Sequence, residues 1–368
     1  MEWNEKHKYN SFNSYKGLCY YERYKAIDRW LNGKGNLPAP VEVSIDPIAQ
    51  CNLNCYYCNS QRYLRDEPIT SKPMKRYLLK ESIRQWAHWG IEGFCFGGGG
   101  ESLLNKDIWT LPSYIAGLGK ESSVVTNGTI MNDTLTKELC YCRWVGFSVD
   151  AAIRETYAKV HGVDGDMLFK VLDNIKDLIA RKEKETWSKV DIAFKFLVLP
   201  ENKEEIIQAC SIAKSLGVND FHVRPADLER KDYRSKRAQY SLTELEAIQK
   251  QYAECQKMTT DSFRVFMVTH KFDPDLHVEH KFQHCYASPL VLQACTDGNA
   301  YVCVDHRIES RFNLGRTDKV KTWWGSDAHK KLVQSIKPSE ECARCTWGPY
   351  NEQFETVIQK DSMCIRFP

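Results

Sequence analysis

The chain has 368 residues, a formal net charge of +3, and 42% hydrophobic and 12% aromatic residues. That is enough to bury a core in one large domain with a smaller one beside it, and the near-balanced charge announces neither a nucleic acid nor an acidic membrane as partner. The polar start, Met1 to Lys6, lacks a basic segment followed by an apolar run, and no stretch approaches the roughly 18 apolar residues of a membrane span, so a cytoplasmic protein is expected.

Residues 1–40, rich in tyrosine and lysine, read as an extension packed against the rest of the chain. Val41 to Asp46 alternates as a strand does and runs into a loop with Cys51, Cys55 and Cys58. Leu79 to Trp89 has helical periodicity. Gly93 to Phe96 is a short buried strand stopped by Gly97–Gly100. Ile108 to Leu118 reads as a helix, Ser122 to Thr126 and Trp144 to Val149 as strands, and Met167 to Ala180 as a helix. Asp191 to Leu199 is a long apolar strand. Asn202 with Glu205 has the spacing of a capping box for the next helix, and Phe221 to Arg224 is a further strand.

About six strand–helix units between Val41 and Ala226 predict parallel strands with right-handed crossovers, an α/β fold of partial (β/α)6 TIM type. In such barrels chemistry gathers at the carboxyl ends of the strands. The cysteine loop, the glycine run, Thr126-Asn127-Gly128, Ser148-Val149-Asp150 and Arg224 all fall there. Residues 227–283 read as a bridge with one helix capped by Ser241 and Glu244; the charged run 229–237 reads as a solvated face. From residue 284 cysteines become dense, and Thr296–Asn299 reads as a hairpin turn between Leu290–Leu292 and Tyr301–Val304.

Fifteen cysteines are many for a reducing compartment, so metal ligation is the better account of part of the set. Three thiolates in one loop can hold a cubane 4Fe-4S cluster and leave one iron without a protein ligand. A zinc knuckle would want a fourth ligand nearby. Cys285, Cys303, Cys342 and Cys345 form a second set, which taken alone fits zinc or iron–sulfur equally. The other cysteines, Cys210 for one, read as small core hydrophobes.

Cys51-Asn52-Leu53-Asn54-Cys55-Tyr56-Tyr57-Cys58, with Gly98-Gly99-Gly100-Glu101 after the next strand, resembles the signature of the radical S-adenosylmethionine (SAM) superfamily. The resemblance implies a 4Fe-4S cluster whose open iron chelates the methionine end of SAM, and cleavage of SAM to a 5′-deoxyadenosyl radical. It implies contacts from Gly98, Gly99, Gly100, Glu101, Asn127 and Ser148 to the cofactor, and shielding of the cluster by Tyr57. Ser102 stands where the family usually has proline. His161 stands where relatives often carry an arginine near the cofactor; a solvated histidine is expected there, as at His306.

Cys285, Gly298, Cys303 and the Cys342–Cys345 pair resemble the auxiliary-cluster domain called SPASM in its long form and twitch in its short form. A twitch domain over 284–368 would carry a second 4Fe-4S cluster, with Cys295 and Cys364 as reserve ligands. By that resemblance the substrate is small and polar, sugar-like or aminocyclitol-like, and is dehydrogenated or epimerised. Arg224 and Asp150 are the catalytic candidates, with Asp46 and His222 also in the lumen. Arg224 could equally pair with Asp227 or Glu229. A reduced flavodoxin or ferredoxin would supply the electron. Two alternatives stand beside this reading: modification of a peptide or protein side chain, for which the amino-terminal extension is short of the leader-binding domain many relatives carry, and a non-catalytic electron carrier.

Overall fold

The computed structural model describes residues 14–60, 64–65, 68, 72–226, 240–268, 272, 280–342 and 345–359. The charged run 229–237, Asp227 and Cys364 lie outside the described residues.

Ten strands make one sheet. In chain order they are β1 (Glu42–Ile45), β2 (Gly93–Phe96), β3 (Glu121–Thr126), β4 (Trp144–Ser148), β5 (Asp191–Val198), β6 (Asp220–Pro225), β7 (Arg264–Met267), β8 (Val291–Ala294), β9 (Asn299–Tyr301) and β10 (Asn313–Arg316). β1 to β7 lie side by side and parallel. Each of the first six is followed by helix, so the six expected units are present, in the architecture of a partial TIM barrel.

Alternation decides which way each strand faces. On β5, Ile192, Phe194, Phe196 and Val198 join the core beneath the helices, while Lys195 and Leu197 face the lumen, Leu197 packing beside Tyr57 and Cys55. The covering helices bury one stripe: Leu168, Val171, Ile175 and Leu178 do so on Met167–Lys184. The Ser241–Glu244 capping box forms as read from the sequence.

Strands β7 and β10 were not anticipated, and neither was the parallel pairing of β8. β7 extends the parallel run beyond β6. β8, expected only as half of a hairpin, also pairs in parallel with the free edge of β1, Glu42 opposite Val291 and Ile45 opposite Ala294. The strands from either side of the bridge thus share one sheet. The expected hairpin does form between β8 and β9, turning at Gly298.

The extension forms a helix, Tyr21–Leu31, that buries Tyr24, Ile27, Trp30 and Leu31. Its partners come largely from the carboxyl-terminal part: Trp30 Nε1 donates to the Gly325 carbonyl at 2.8 Å, and Tyr24 meets Phe354 edge-on. The Asn202–Glu205 capping box does not form. Helix Ile206–Leu216 begins later, and Asn202 is fully buried, accepting from Leu199 N–H and donating to the carbonyls of Asp150 and Leu197. A buried amide satisfies three backbone groups there that a cap would have left orphaned. Among the described residues no helix is long and apolar enough to cross a membrane.

Candidate active site

The first cysteine loop leaves the carboxyl end of β1. Asn54 N–H donates to the His161 carbonyl and Glu101 N–H to the Gln50 carbonyl, both at 2.8 Å, which ties the loop to the end of helix Arg154–His161 and to the glycine run after β2. Cys51, Cys55 and Cys58 are half-buried, and their thiols lie close enough to act on one another electrostatically. Leu53 N–H points at Cys51 Sγ, 3.5 Å away. Burial, and then the neighbouring thiol charge, pushes Cys55 well above the ordinary thiol range; burial does the same to Cys51. Three thiolates could coexist here only beside cations, which the irons of a cluster would supply. Among the described residues no three His, Cys, Asp or Glu side chains close on one point as the ligands of a single ion would. A cluster needs no such point, since each thiolate binds a different iron.

The glycine run packs against this loop. A Cβ on Gly100 would strike the Gln50 carbonyl oxygen and come within 2.8 Å of that of Ile48; one on Gly98, whose φ is +110°, would strike the Arg307 guanidinium. Glu101 is buried and accepts from Leu103 N–H (3.1 Å), Thr126 Oγ1 (2.8 Å) and Asn127 N–H (2.7 Å). It thereby locks the ends of β2 and β3 together. Asn127 Nδ2 donates to Asn52 Oδ1 at 2.9 Å and lies 4.0 Å from Cys51 Sγ. Ser148 ends β4, half-buried, opposite Lys195.

Asp150 is fully buried at a φ of +54°. Its two carboxylate oxygens accept from Tyr57 Oη and from Leu197 N–H, each at 2.6 Å, so it braces the cysteine loop against β5. His161, expected in solvent, is 1% exposed: Nε2 lies 2.9 Å from the Val149 carbonyl and Nδ1 lies 3.0 Å from Cys55 Sγ. The sequence showed a polar residue near a helix end. What it hid is that the helix Arg154–His161 ends against the cysteine loop.

Arg224 lies half-buried on the lumen face of β6, in register with Leu197. Next to it is a residue that the sequence reading passed over, Lys195, in register with His222 and 9% exposed. Burial first, then Arg224, lowers its ammonium from the usual lysine range to about 7. A lysine inside an otherwise apolar strand was the signal. Asp46, at the end of β1, pairs with Arg307 at 2.7 Å in a site where both side chains are at most a tenth exposed. Arg307 gave no sequence signal, because nothing local says that a loop beyond β9 returns to the barrel.

The second set also assembles. Cys285 and Cys303 are buried side by side, and Cys342 and Cys345 each act electrostatically on that pair. Burial raises all four thiols, Cys285 to about 11. Hydrogen-bond donors surround them: Asp305 N–H at 3.3 Å from Cys303 Sγ and Asn351 Nδ2 at 3.7 Å from Cys345 Sγ. His306, expected in solvent, is buried instead, stacked on Phe312 with Nε2 3.4 Å from Cys342 Sγ. The crowding of two buried and two half-buried thiols suits a metal cluster as the first loop does. Cys295 stands apart from them, 3.6 Å from Asp46.

Residues 45–213 match the model of the radical SAM superfamily. A probable GTP 3',8-cyclase of Saccharolobus islandicus is 29% identical over 175 residues, 47% of this chain and 53% of that protein. An AdoMet-dependent heme synthase of Methanosarcina barkeri is 26% identical over 189 residues, half of each chain. The chain therefore spans about half the length of the curated relatives it matches. Among solved structures, Streptococcus suis SuiB bound to S-adenosylmethionine superposes with a TM-score of 0.63 at 16% identity, over 90% of this chain and 77% of that one, a likeness of fold.

Proposed function

We propose that this chain, a member of the radical SAM superfamily and hence an enzyme family that uses SAM and a 4Fe-4S cluster, abstracts hydrogen from a small polar, sugar-like or aminocyclitol-like substrate and dehydrogenates or epimerises it. In this reading Cys51, Cys55 and Cys58 bind three irons of the first cluster. Gly98, Gly99, Gly100 and Glu101, with Asn127 and Ser148, shape the SAM cradle beside it. Cys285, Cys303, Cys342 and Cys345 hold an auxiliary 4Fe-4S cluster in a twitch domain. When bound, SAM and the first cluster supply a 5′-deoxyadenosyl radical.

The observation that carries the reading is the meeting of the cysteine loop, the glycine run and a polar lumen at one end of a parallel barrel. The chain's own residues prepare this space. Glu101 fixes the ends of β2 and β3, and Asp150 fixes the loop to β5. Tyr57, buried over the loop, excludes water from the thiols. Arg224 stays charged and would stabilise negative charge developing on a substrate oxygen. A reduced flavodoxin or ferredoxin is the proposed electron donor.

The test is mass-spectrometric detection of 5′-deoxyadenosine from anaerobically reconstituted protein given SAM, reductant and, separately, small-metabolite and peptide fractions. A burst with metabolites supports the proposal. A burst with peptides alone replaces it with side-chain modification. No cleavage by cluster-loaded protein with any fraction would leave a non-catalytic carrier.

A further inference from the structure

Lys195 is the feature of the lumen that the proposed roles leave unused. Its side chain is 9% exposed, yet its ammonium makes no hydrogen bond or ion pair with any described residue. It extends well into the lumen: the groups that act on it electrostatically are Arg224 on β6, Asp150 after β4 and Cys95 on β2. His222 on β6 and Ser148 on β4 flank it in register.

Of these neighbours only Asp150 carries negative charge, and both its oxygens already accept hydrogen bonds from Tyr57 and Leu197. Arg224 is always protonated. Arg224 and the Lys195 ammonium repel, which weakens the lysine's hold on its proton, while Asp150 partly opposes this. A buried lysine that makes no hydrogen bond or ion pair among the described residues costs stability unless something offsets it. Leu197, two residues along the same face, touches the cysteine-loop cluster, so this floor lies immediately below the SAM end of the barrel.

We infer that Lys195, with Arg224 beside it, is a binding point for an anionic group, a carboxylate or a phosphate, on the substrate. The inference rests on reading the lumen as the reaction chamber, and it narrows the substrate class. A sugar acid or a sugar phosphate fits such a site; a substrate that turns an ammonium toward Lys195 does not. Burial and Arg224 leave the Lys195 ammonium ready to lose its proton near neutrality, so an arriving anion draws a proton onto it. Anion affinity should accordingly weaken as pH rises above neutrality.

The experiment tracks the reactivity of Lys195 in the reconstituted holoprotein. The rate of its acetylation by a trace of acetic anhydride is read by peptide mass spectrometry across pH, with and without sulfate, a dianion over the whole range. SAM is added alone in a second arm and together with sulfate in a third. Sulfate should raise the pH at which Lys195 becomes reactive by about one unit or more, with or without SAM. If SAM alone gives the shift and sulfate adds nothing, the cation serves the cofactor's carboxylate and the substrate assignment is overturned. If neither shifts the curve, the site itself is overturned. Calorimetry adds the variants: Lys195→Met should lose sulfate binding, while Lys195→Arg should keep it and lose its pH dependence. None of these readouts requires turnover, so their failure is distinct from a failure to cleave SAM.

Discussion

Replacing Arg307 with methionine would leave the Asp46 carboxylate buried and unpaired. The pair is dry, with side-chain exposures of 10% and 3%, and it joins the loop after Cys303 to the end of β1 under the glycine run. Removing one partner of a buried pair costs about 3–5 kcal/mol, because the other charge stays behind. Burial already holds Asp46 above the ordinary carboxylate range, and Arg307 opposes it. Without Arg307 the folded-state value rises further above the unfolded value of about 3.9. A carboxyl raised on folding contributes most below its unfolded value and loses that contribution as pH climbs through the folded one. The Arg307→Met penalty should therefore be larger at pH 8 than at pH 5. Thermal unfolding followed by intrinsic fluorescence at both pH values measures this, with a fall of about 4–6 °C at pH 8. Adding Asp46→Asn removes the stranded charge and should recover about half of the loss. A single variant within about 2 °C of the parent at pH 8 would refute the reasoning, as would a double variant no better than the single.

Gly100→Ala sets a methyl group against the carbonyls of Gln50 and Ile48, backbone atoms that cannot rotate away. An overpacking cost of about 1–3 kcal/mol at the cofactor cradle should weaken SAM binding roughly tenfold, measured by equilibrium dialysis on the reconstituted protein. Cys345→Ala should remove about half of the iron per chain, whereas Cys295→Ala, which lies beside Asp46 and apart from the four-thiol group, should leave the iron content unchanged. Iron analysis after anaerobic reconstitution reads both.

Much of the barrel was legible because its signals are local. Alternation in Val41–Asp46, Ser122–Thr126 and Trp144–Val149 marks strands, and the helix stripes between them mark crossovers. The two cysteine groups were legible from spacing. What stayed hidden depends on partners far away in sequence. Asn202 carries the local pattern of a helix cap, but the tertiary demand of Leu199, Leu197 and Asp150 for a buried amide won. His161 and His306 look like solvent residues until their segments dock against thiols. β8 has the pattern of a hairpin strand, and only the open edge of β1 makes it part of the barrel sheet. Asp150 looked reactive at a strand end; its positive φ and two short hydrogen bonds show a carboxylate engaged in holding the loop.

The central claim is that Cys51, Cys55 and Cys58 hold a cluster with an iron open to SAM. Electron paramagnetic resonance of the reduced protein, with and without SAM, tests it most directly when run on a Cys342→Ala/Cys345→Ala background. The account predicts a 4Fe-4S signal that changes shape on adding SAM and disappears in Cys55→Ala. A cluster signal that SAM leaves untouched, or one that survives the loss of Cys55, would contradict it.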